Sequence, residues 1–561
     1  MNDYLKFAAV FFLAANLHAQ SPSWRIRNDG TLVRDDVPYF SLGFYFTEYA
    51  FTKEERLTAM RAIADGGFNT MLTGIPHRTS SVDSTLVWDT NAYEALIDEG
   101  ATRGLQFFGW CMGNDDFPTG AKPLEVVNRF KGKSNVLGWA IADDTDWVDS
   151  GTGYYTPAGL GAKRNQILSA DPSRPVWSSF SGYFANLTAS EKRDYLSNTD
   201  FGSLQQYPLF TDATEIDTAF RNIDEASKFA LPKSHVGVSA QSFKWAGPEN
   251  RMPTVAETRC LAYLPLLGGA KSILWYAYAD EDNPPLSNAH PAIWNELKNI
   301  RDDLIGSGGL GNVMLDGERK TDLVTNGTSV RASSWVLGSS VYLVGANHSS
   351  QFYQYAHLPL PQSVTGSPQQ IVTRLGVLND PTYPDGLGQT GNAANVFSML
   401  LPPLGVKAYK LTLSAYLKNP GFESGKLNWS VSSTNSAHND ASFVTGNFAN
   451  KDGALHGAHW KASDYTVYTY QKMTGLPNGN YTVRAWTRSS GGQTKATLVA
   501  KGYNSAGTKR ESAISPSDLW ETVKLTDIAV SNGRCEIGFF SAARANQWLN
   551  FDAVEFWRQP N

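Results

Sequence analysis

The stretch Val136-Leu-Gly-Trp-Ala-Ile-Ala-Asp-Asp-Thr-Asp-Trp147 decides how the rest of the chain is read. An apolar run with an embedded tryptophan stops abruptly at three carboxylates, Asp143, Asp144 and Asp146. A run of this length bounded by polar residues predicts a strand buried on both faces. Carboxylates gathered just past such a strand are costly to a core and useful to chemistry. They repel one another, so at least one pKa is expected to rise, and a general acid needs a raised carboxyl pKa. A solvated loop or a calcium site would use the same residues differently, because structural networks also perturb carboxylates.

Working outward, similar apolar runs stand at 39–46, 68–73, 105–110, 175–180, 202–207, 236–243 and 272–279. Helix-like segments lie between most of them; the spacing predicts one from Lys53, closed by Gly66-Gly67. Eight strand–helix units in about 285 residues predict a (β/α)8 TIM barrel. A doubly wound sheet fits less well, because no Gly-rich phosphate turn follows the first strand. Catalytic groups of such barrels sit at the C-terminal strand ends. Those ends offer Tyr45 and Glu48, His77 and Arg78, Trp110 with Asp115 and Asp116, then Asp143, Asp144 and Asp146. Tyr183, Gln206 and Tyr207 come next, followed by Gln241, Phe243 and Trp245, and finally Tyr276, Tyr278, Asp280, Glu281 and Asp282. Carboxylates and aromatics dominate, without a Ser/His/Asp order or a His/Cys metal cluster, which favours carboxylate chemistry on a sugar.

Composition points the same way. The 561 residues carry 16 Trp, 24 Tyr and 28 Phe but only 18% charged residues, with a net charge of -5. Many aromatics with few charges suit stacking on neutral rings, or simply the filling of large β-rich cores. No basic run is present, so no nucleic-acid partner is expected. Residues 1–20 read as a signal peptide: Lys6, an apolar run over 7–15, and Leu17 and Ala19 before a cleavage site. Secretion, extracellular or periplasmic, is expected, with no membrane span. Cys111, Cys260 and Cys535 define no disulfide framework. Oligomeric state is not legible.

After the barrel (21–306), short alternating strands over 307–413 predict a β-sandwich domain, and 414–561 predicts a β jelly-roll.

The last unit resembles carbohydrate-binding modules, most of all family 61. The match rests on Tyr465-Thr-Val-Tyr-Thr-Tyr-Gln471, Leu476-Pro-Asn-Gly-Asn-Tyr-Thr-Val483, Trp486-Thr-Arg-Ser-Ser-Gly-Gly-Gln493 and the segment 546–555. The resemblance implies recognition of β-1,4-galactan. Sugars need an aromatic platform and fixed polar groups. Trp460, Tyr470, Trp486, Arg488 and Gln493 are the candidates, Trp486 being equally readable as core. Glu423 and Asp552 stand near the two ends of the unit, where jelly-roll modules often hold a structural Ca2+.

The first two units resemble glycoside hydrolases of the large (β/α)8 retaining-glycosidase clan that carries a β-sandwich behind the barrel. The resemblance lies in Gly43-Phe-Tyr45, Ala64-Asp-Gly-Gly-Phe-Asn69, the segment 137–146 and the segment 260–278. The fourth-strand segment is similar to a Trp-x-x-x-Asp-Glu-Pro-Asp pattern, with Asp144 at the acid/base position and Thr145 at the proline. The clan's usual nucleophile is a Glu after the seventh strand, where this chain has Gln241. The second carboxylate is therefore sought at Asp280 or Glu281, with Glu48 and Asp116 as further sources.

The reading is a secreted glycoside hydrolase acting on a galactan-type polysaccharide. Asp144 is the expected acid, tuned by Asp143, and Asp280 or Glu281 the base or nucleophile. Tyr45, Glu48, Trp110, Tyr207, Gln241, Trp245 and Tyr278 are expected to bind substrate, and no cofactor is expected for catalysis. The alternative is a non-catalytic polysaccharide-binding protein on a degenerate barrel. Lyase action on an acidic glycan would need a basic subsite, for which only Arg78, Lys244 and Arg251 are placed.

Overall fold

The computed structural model describes residues 23–46, 52–79, 86–112, 122–147, 155–209, 215–247, 250–280, 282–307, 309–320, 329–361, 364–372, 385–387, 396–446, 450–504 and 508–560. The expected signal segment 1–20, Glu48, Asp115, Asp116 and Glu281 lie outside the described residues.

Eight strands close into one parallel barrel. They are β1 (Ser41–Phe46), β2 (Thr70–Thr73), β3 (Gln106–Trp110), β4 (Val136–Ala142), β5 (Val176–Phe180), β6 (Phe201–Gln206), β7 (His235–Gln241) and β8 (Ser272–Tyr276). The ring shuts where β8 pairs with β1, Trp275 opposite Phe44 and Tyr276 opposite Tyr45. Parallel neighbours require crossovers. These are supplied by helices α1 (Lys53–Asp65), α2 (Thr90–Thr102), α3 (Pro123–Phe130), α4 (Pro157–Ala170), α5 (Ala189–Ser197), α6 (Thr218–Phe229) and α7 (Val255–Gly268), with α8 (Pro291–Leu304) following β8. With helices outside and side chains packed within, β1, β4 and β7 are buried at every position.

Local sequence fixes these elements. Helices α1, α5 and α7 each open on a Thr/Glu capping box, at Thr52/Glu55, Thr188/Glu191 and Thr254/Glu257. Helix α1 stops at Gly66, and Gly67 takes the left-handed φ of 78° that a side chain would resist. The sequence run 272–279 stays in the ladder only to Tyr276. Beyond it the Ala277 carbonyl accepts from Ser242 Oγ and the Tyr278 carbonyl from the Leu286 N–H, so the chain has turned into a loop.

Behind the barrel lie a five-stranded antiparallel sheet (Glu318–Lys320, Val330–Leu337, Ser340–Asn347, Val406–Leu413, Val364–Val372) and a three-stranded one (Gln354–Pro359, Val396–Leu401, Gly386–Leu387). The C-terminal part forms two further five-stranded antiparallel sheets, face to face around Leu498, Phe539 and Phe551. It is tied to the rest of the chain through Asp316. That carboxylate meets Arg27 at 2.7 Å and Lys451 at 2.5 Å, and its backbone carbonyl accepts from Arg484. Among the described residues the cysteines are free and buried, and no helix is long and apolar enough to cross a membrane.

One buried ion network locks α7 to α8. Arg259, with a fully buried side chain, meets Glu296 and, at 2.9 Å, Asp303, which also accepts from Tyr263 at 3.0 Å. Removing the cation leaves two buried carboxylates uncompensated. Arg259→Leu is expected to cost about 3–5 kcal/mol, read as earlier urea unfolding by tryptophan fluorescence; an unshifted midpoint would contradict the network's role.

Candidate active site

The fourth strand delivers its carboxylates into partners from three other strands. Asp143, the first residue past β4, accepts from Tyr45 Oη of β1 at 2.6 Å, from Ser179 Oγ of β5, and from Gln205 Nε2 of β6 at 3.2 Å. Asp144 takes a left-handed φ of 49°, an unusual conformation for a residue with a side chain. The turn brings the next carboxylate back to the same amide: Gln205 Nε2 also donates to Asp144 Oδ1 at 2.7 Å. Thr145 pins the loop, its N–H and hydroxyl both donating to the Ser179 carbonyl. Asp146 is a loop tie, buried and accepting from the Ser181 N–H at 2.6 Å and hydroxyl at 3.2 Å.

These contacts separate the two neighbours chemically. Burial drives both carboxyls above their ordinary range, since it disfavours the charged form. Asp143 has three donors that favour its anion. Asp144 has one side-chain donor and feels the charge of Asp143, so it is pushed up to about 7. Asp143 is thus the better site for the charge and Asp144 for the proton, the split that a general acid beside a fixed anion requires. Asp146 is raised to about 6 by burial.

The pair opens on a cleft of about 780 Å³ at the C-terminal mouth of the barrel. Tyr45, Tyr207, Trp245, Tyr276 and Asp280 line it with Asp143 and Asp144. Tyr276 packs between Tyr45 at 5.5 Å and Tyr207 at 5.8 Å, and Tyr207 lies edge-on to Trp245 at 6.2 Å. Burial and the Asp143 charge hold the Tyr207 hydroxyl well above its ordinary pKa, so it stays a donor. On the rim Trp147 and Tyr183 are 46% and 47% exposed, flat apolar surfaces facing water.

Asp280 reaches the cleft while organising the loop after β8. Its Oδ1 accepts from the N–H groups of Asp282 (2.9 Å) and Asn283 (2.8 Å), and Asn283 in turn joins the Lys244 backbone after β7. Other candidates stand elsewhere. Gln241 is fully buried, its amide closed onto the backbone of Leu209 and Phe243, so it has no group left for a sugar. Tyr278 is buried against Phe44 and Trp294 with its hydroxyl on Ser287, and Trp110 is buried, its backbone N–H donating to the Tyr93 hydroxyl. Neither is among the residues lining the cleft.

Two partners escape a sequence reading. Ser179 and Gln205 are polar residues inside strand-like runs. Period-2 alternation was the available signal: Gln205 shares the inward parity of Ser203, whereas Gln206 points outward to Asn222 of α6.

The C-terminal candidates fall into separate places, with only Gln493 and Trp460 meeting, at Trp548. Trp486 is 1% exposed, wedged in the seam to the rest of the chain with Lys451 Nζ 4.0 Å and the Arg27 guanidinium 4.6 Å from its ring. It stabilises the seam by cation–π contact and offers no platform for a sugar. Arg488 lies against Asp36 at 3.5 Å and donates to the Asp518 carbonyl. Gln493 holds Ser489 and the Trp548 carbonyl, and half-buried Trp460 pairs across strands with Trp548. Tyr470 lies on the opposite sheet, stacked on Tyr468. Both Glu423 oxygens accept N–H groups, from Ala454 and Leu455, and Asp552 accepts those of Lys451, Asp452 and Ala553. A cation would have to share oxygens that the backbone already uses. Among the described residues no three His, Cys, Asp or Glu side chains converge as a metal site.

No family model matches the chain, and no curated protein matches it. Solved structures do. In fold the chain resembles glycosidases and, over a smaller part, a carbohydrate-binding module. An isomaltodextranase of Arthrobacter globiformis T6 in complex with panose is 12% identical, covering 95% of this chain and 99% of that one, with a TM-score of 0.43. A family 30 endoxylanase of Clostridium papyrosolvens C71 is 12% identical over 70% of this chain and 98% of its own, with a TM-score of 0.39. A family 61 carbohydrate-binding module, TmCBM61 with β-1,4-galactotriose, is 26% identical over 26% of this chain and 98% of its own, with a TM-score of 0.22.

Gln205 is the testable joint of the site. Its amide favours the charged form of Asp144, so Gln205→Leu is expected to raise the Asp144 pKa above about 7. Carboxyl NMR titration reads the shift; a pKa that stays put or falls would contradict the bridging role.

Proposed function

We propose that the protein is a secreted glycoside hydrolase that cleaves a galactose-containing polysaccharide of the galactan type. The observation that carries the reading is Asp144, a carboxyl pushed up to about 7 by burial and by Asp143 at the mouth of an aromatic-lined cleft. A glycosidic oxygen leaves only as it is protonated, and an acid with a pKa near the working pH does this best. Asp143, fixed by Tyr45, Ser179 and Gln205, keeps its neighbour protonated without leaving its own place. The base or nucleophile comes from the loop after β8: Asp280, which lines the cleft, or Glu281. Carboxyl separations of about 5–5.5 Å serve retention and about 6.5–9.5 Å inversion. The galactose-containing substrate rests on the sequence resemblance of the C-terminal unit to family 61, and secretion on the apolar segment at 7–15.

A second reading has one observation of its own. The end of β7 carries Gln241, an amide bound into the backbone, where a retaining barrel of this type would hold a nucleophile. That favours a polysaccharide-binding protein on a barrel without turnover.

Reducing-sugar release from β-1,4-galactan separates the two. The wild type is expected to release sugar, with a rate that falls as pH rises through about 7, because deprotonated Asp144 cannot donate. Asp144→Asn is expected to lower the rate by about 10²–10⁴-fold with an unchanged circular dichroism spectrum. Binding to galactan without release from any polysaccharide tested would establish the second reading.

A further inference from the structure

The C-terminal sheets differ in what their outer faces carry. One of them contains strands Ser430–Ser432, Tyr465–Thr474, Arg534–Ala543, Lys495–Lys501 and Lys509–Ala513. Alternate residues of these strands fill the core with Val467, Ile537, Phe539 and Leu498. The others turn outward and build a groove of about 330 Å³. Its floor is Tyr468, Phe540 and Val499, with Tyr468 directly across from Phe540. The floor is flat because residue 538 is glycine: a Cβ there would lie 2.6 Å from Tyr470 Cβ and 2.8 Å from the Tyr468 ring. Tyr468 and Tyr470 stack side by side, 5.0 Å apart and 13° from parallel.

The walls differ chemically. On one side stand the hydroxyls of Ser432, Ser433 and Thr434; on the other stand Lys501 and Lys509. Among the described residues no carboxylate lines the groove. Around it four lysines share two glutamates. Glu536 meets Lys501 at 2.9 Å and Lys472 at 3.6 Å; Glu511 meets Lys495 at 2.6 Å and also Lys509. The face thus keeps an excess of positive charge on a chain whose net charge is -5.

We propose that this groove binds an acidic glycan, with a pyranose ring laid on half-buried Phe540 and a uronate carboxylate held by Lys509 and by Lys501, whose ammonium lies 4.5 Å from the Tyr468 ring. Aromatic floors and hydroxyl walls suit a sugar. Surplus ammonium groups select the charged one, because a carboxylate gains charge-assisted hydrogen bonds that a neutral hydroxyl cannot match. The site lies apart from the barrel cleft and asks no chemistry of it, so it stands whichever reading of the barrel holds.

Affinity electrophoresis of the full chain through gels containing polygalacturonate or neutral β-1,4-galactan tests it. Polygalacturonate is expected to retard the protein, less so as salt rises. Lys501→Gln with Lys509→Gln is expected to weaken that retardation at least tenfold and to leave any sugar release by the barrel unchanged; Phe540→Ala is expected to weaken it similarly. Both lysines are about half exposed, so the fold should tolerate their loss. Absence of retardation by polygalacturonate, or equal retardation of the double variant, would overturn the proposal. Retardation by neutral galactan alone, abolished by the same pair, would overturn the acidic assignment.

Discussion

The site depends on barrel closure. Asp143 is held by a tyrosine from β1, a serine from β5 and an amide from β6, strands that meet around one axis only because β8 pairs with β1. In an open sheet β1 and β5 would lie far apart, and Asp143 would be a buried anion with too few donors, a state that costs several kcal/mol. Closure converts that cost into a fixed negative charge. The fixed charge, with burial, then keeps the proton on Asp144. The chemistry assigned to Asp144 is therefore a property of the ring and not of the Asp-Asp dipeptide.

The same economy of buried charge operates at the seam to the C-terminal sheets. Asp316 pairs with both Arg27 and Lys451, Asp29 also meets Arg27, Glu555 pairs with Arg484, and three cations lie over or beside the Trp486 ring. Such a seam fixes orientation, since each charge becomes expensive if its partner moves away. It also redirects Trp486 and Arg488, residues that carry the resemblance to sugar-binding modules, toward holding this chain together. The groove floored by Tyr468, Phe540 and Val499 lies on the other sheet.

Much of the architecture was legible in the chain. Eight apolar runs with helical segments between them and no Gly-rich phosphate turn after the first fit a closed parallel sheet better than a doubly wound one, and the carboxylates after the fourth run stand at the mouth. Errors came where a contact depends on parity or on distant backbone. Gln206 was one residue out of phase with Gln205. Gln241 has the composition of a sugar ligand, but its amide is used by the Leu209 and Phe243 backbone, which no local pattern reveals.

By itself, then, the sequence determined element types, strand count and the place where acidic groups gather, because period, capping boxes and turn glycines act over a few residues. Only the tertiary structure decided which polar groups meet Asp143 and Asp144, which tryptophan faces a cleft and which a seam, and which sheet face carries surplus lysines. Those outcomes rest on pairings between residues tens to hundreds of positions apart. Their hydrogen bonds and charges acquire their strength only when closure and packing have removed water from around them.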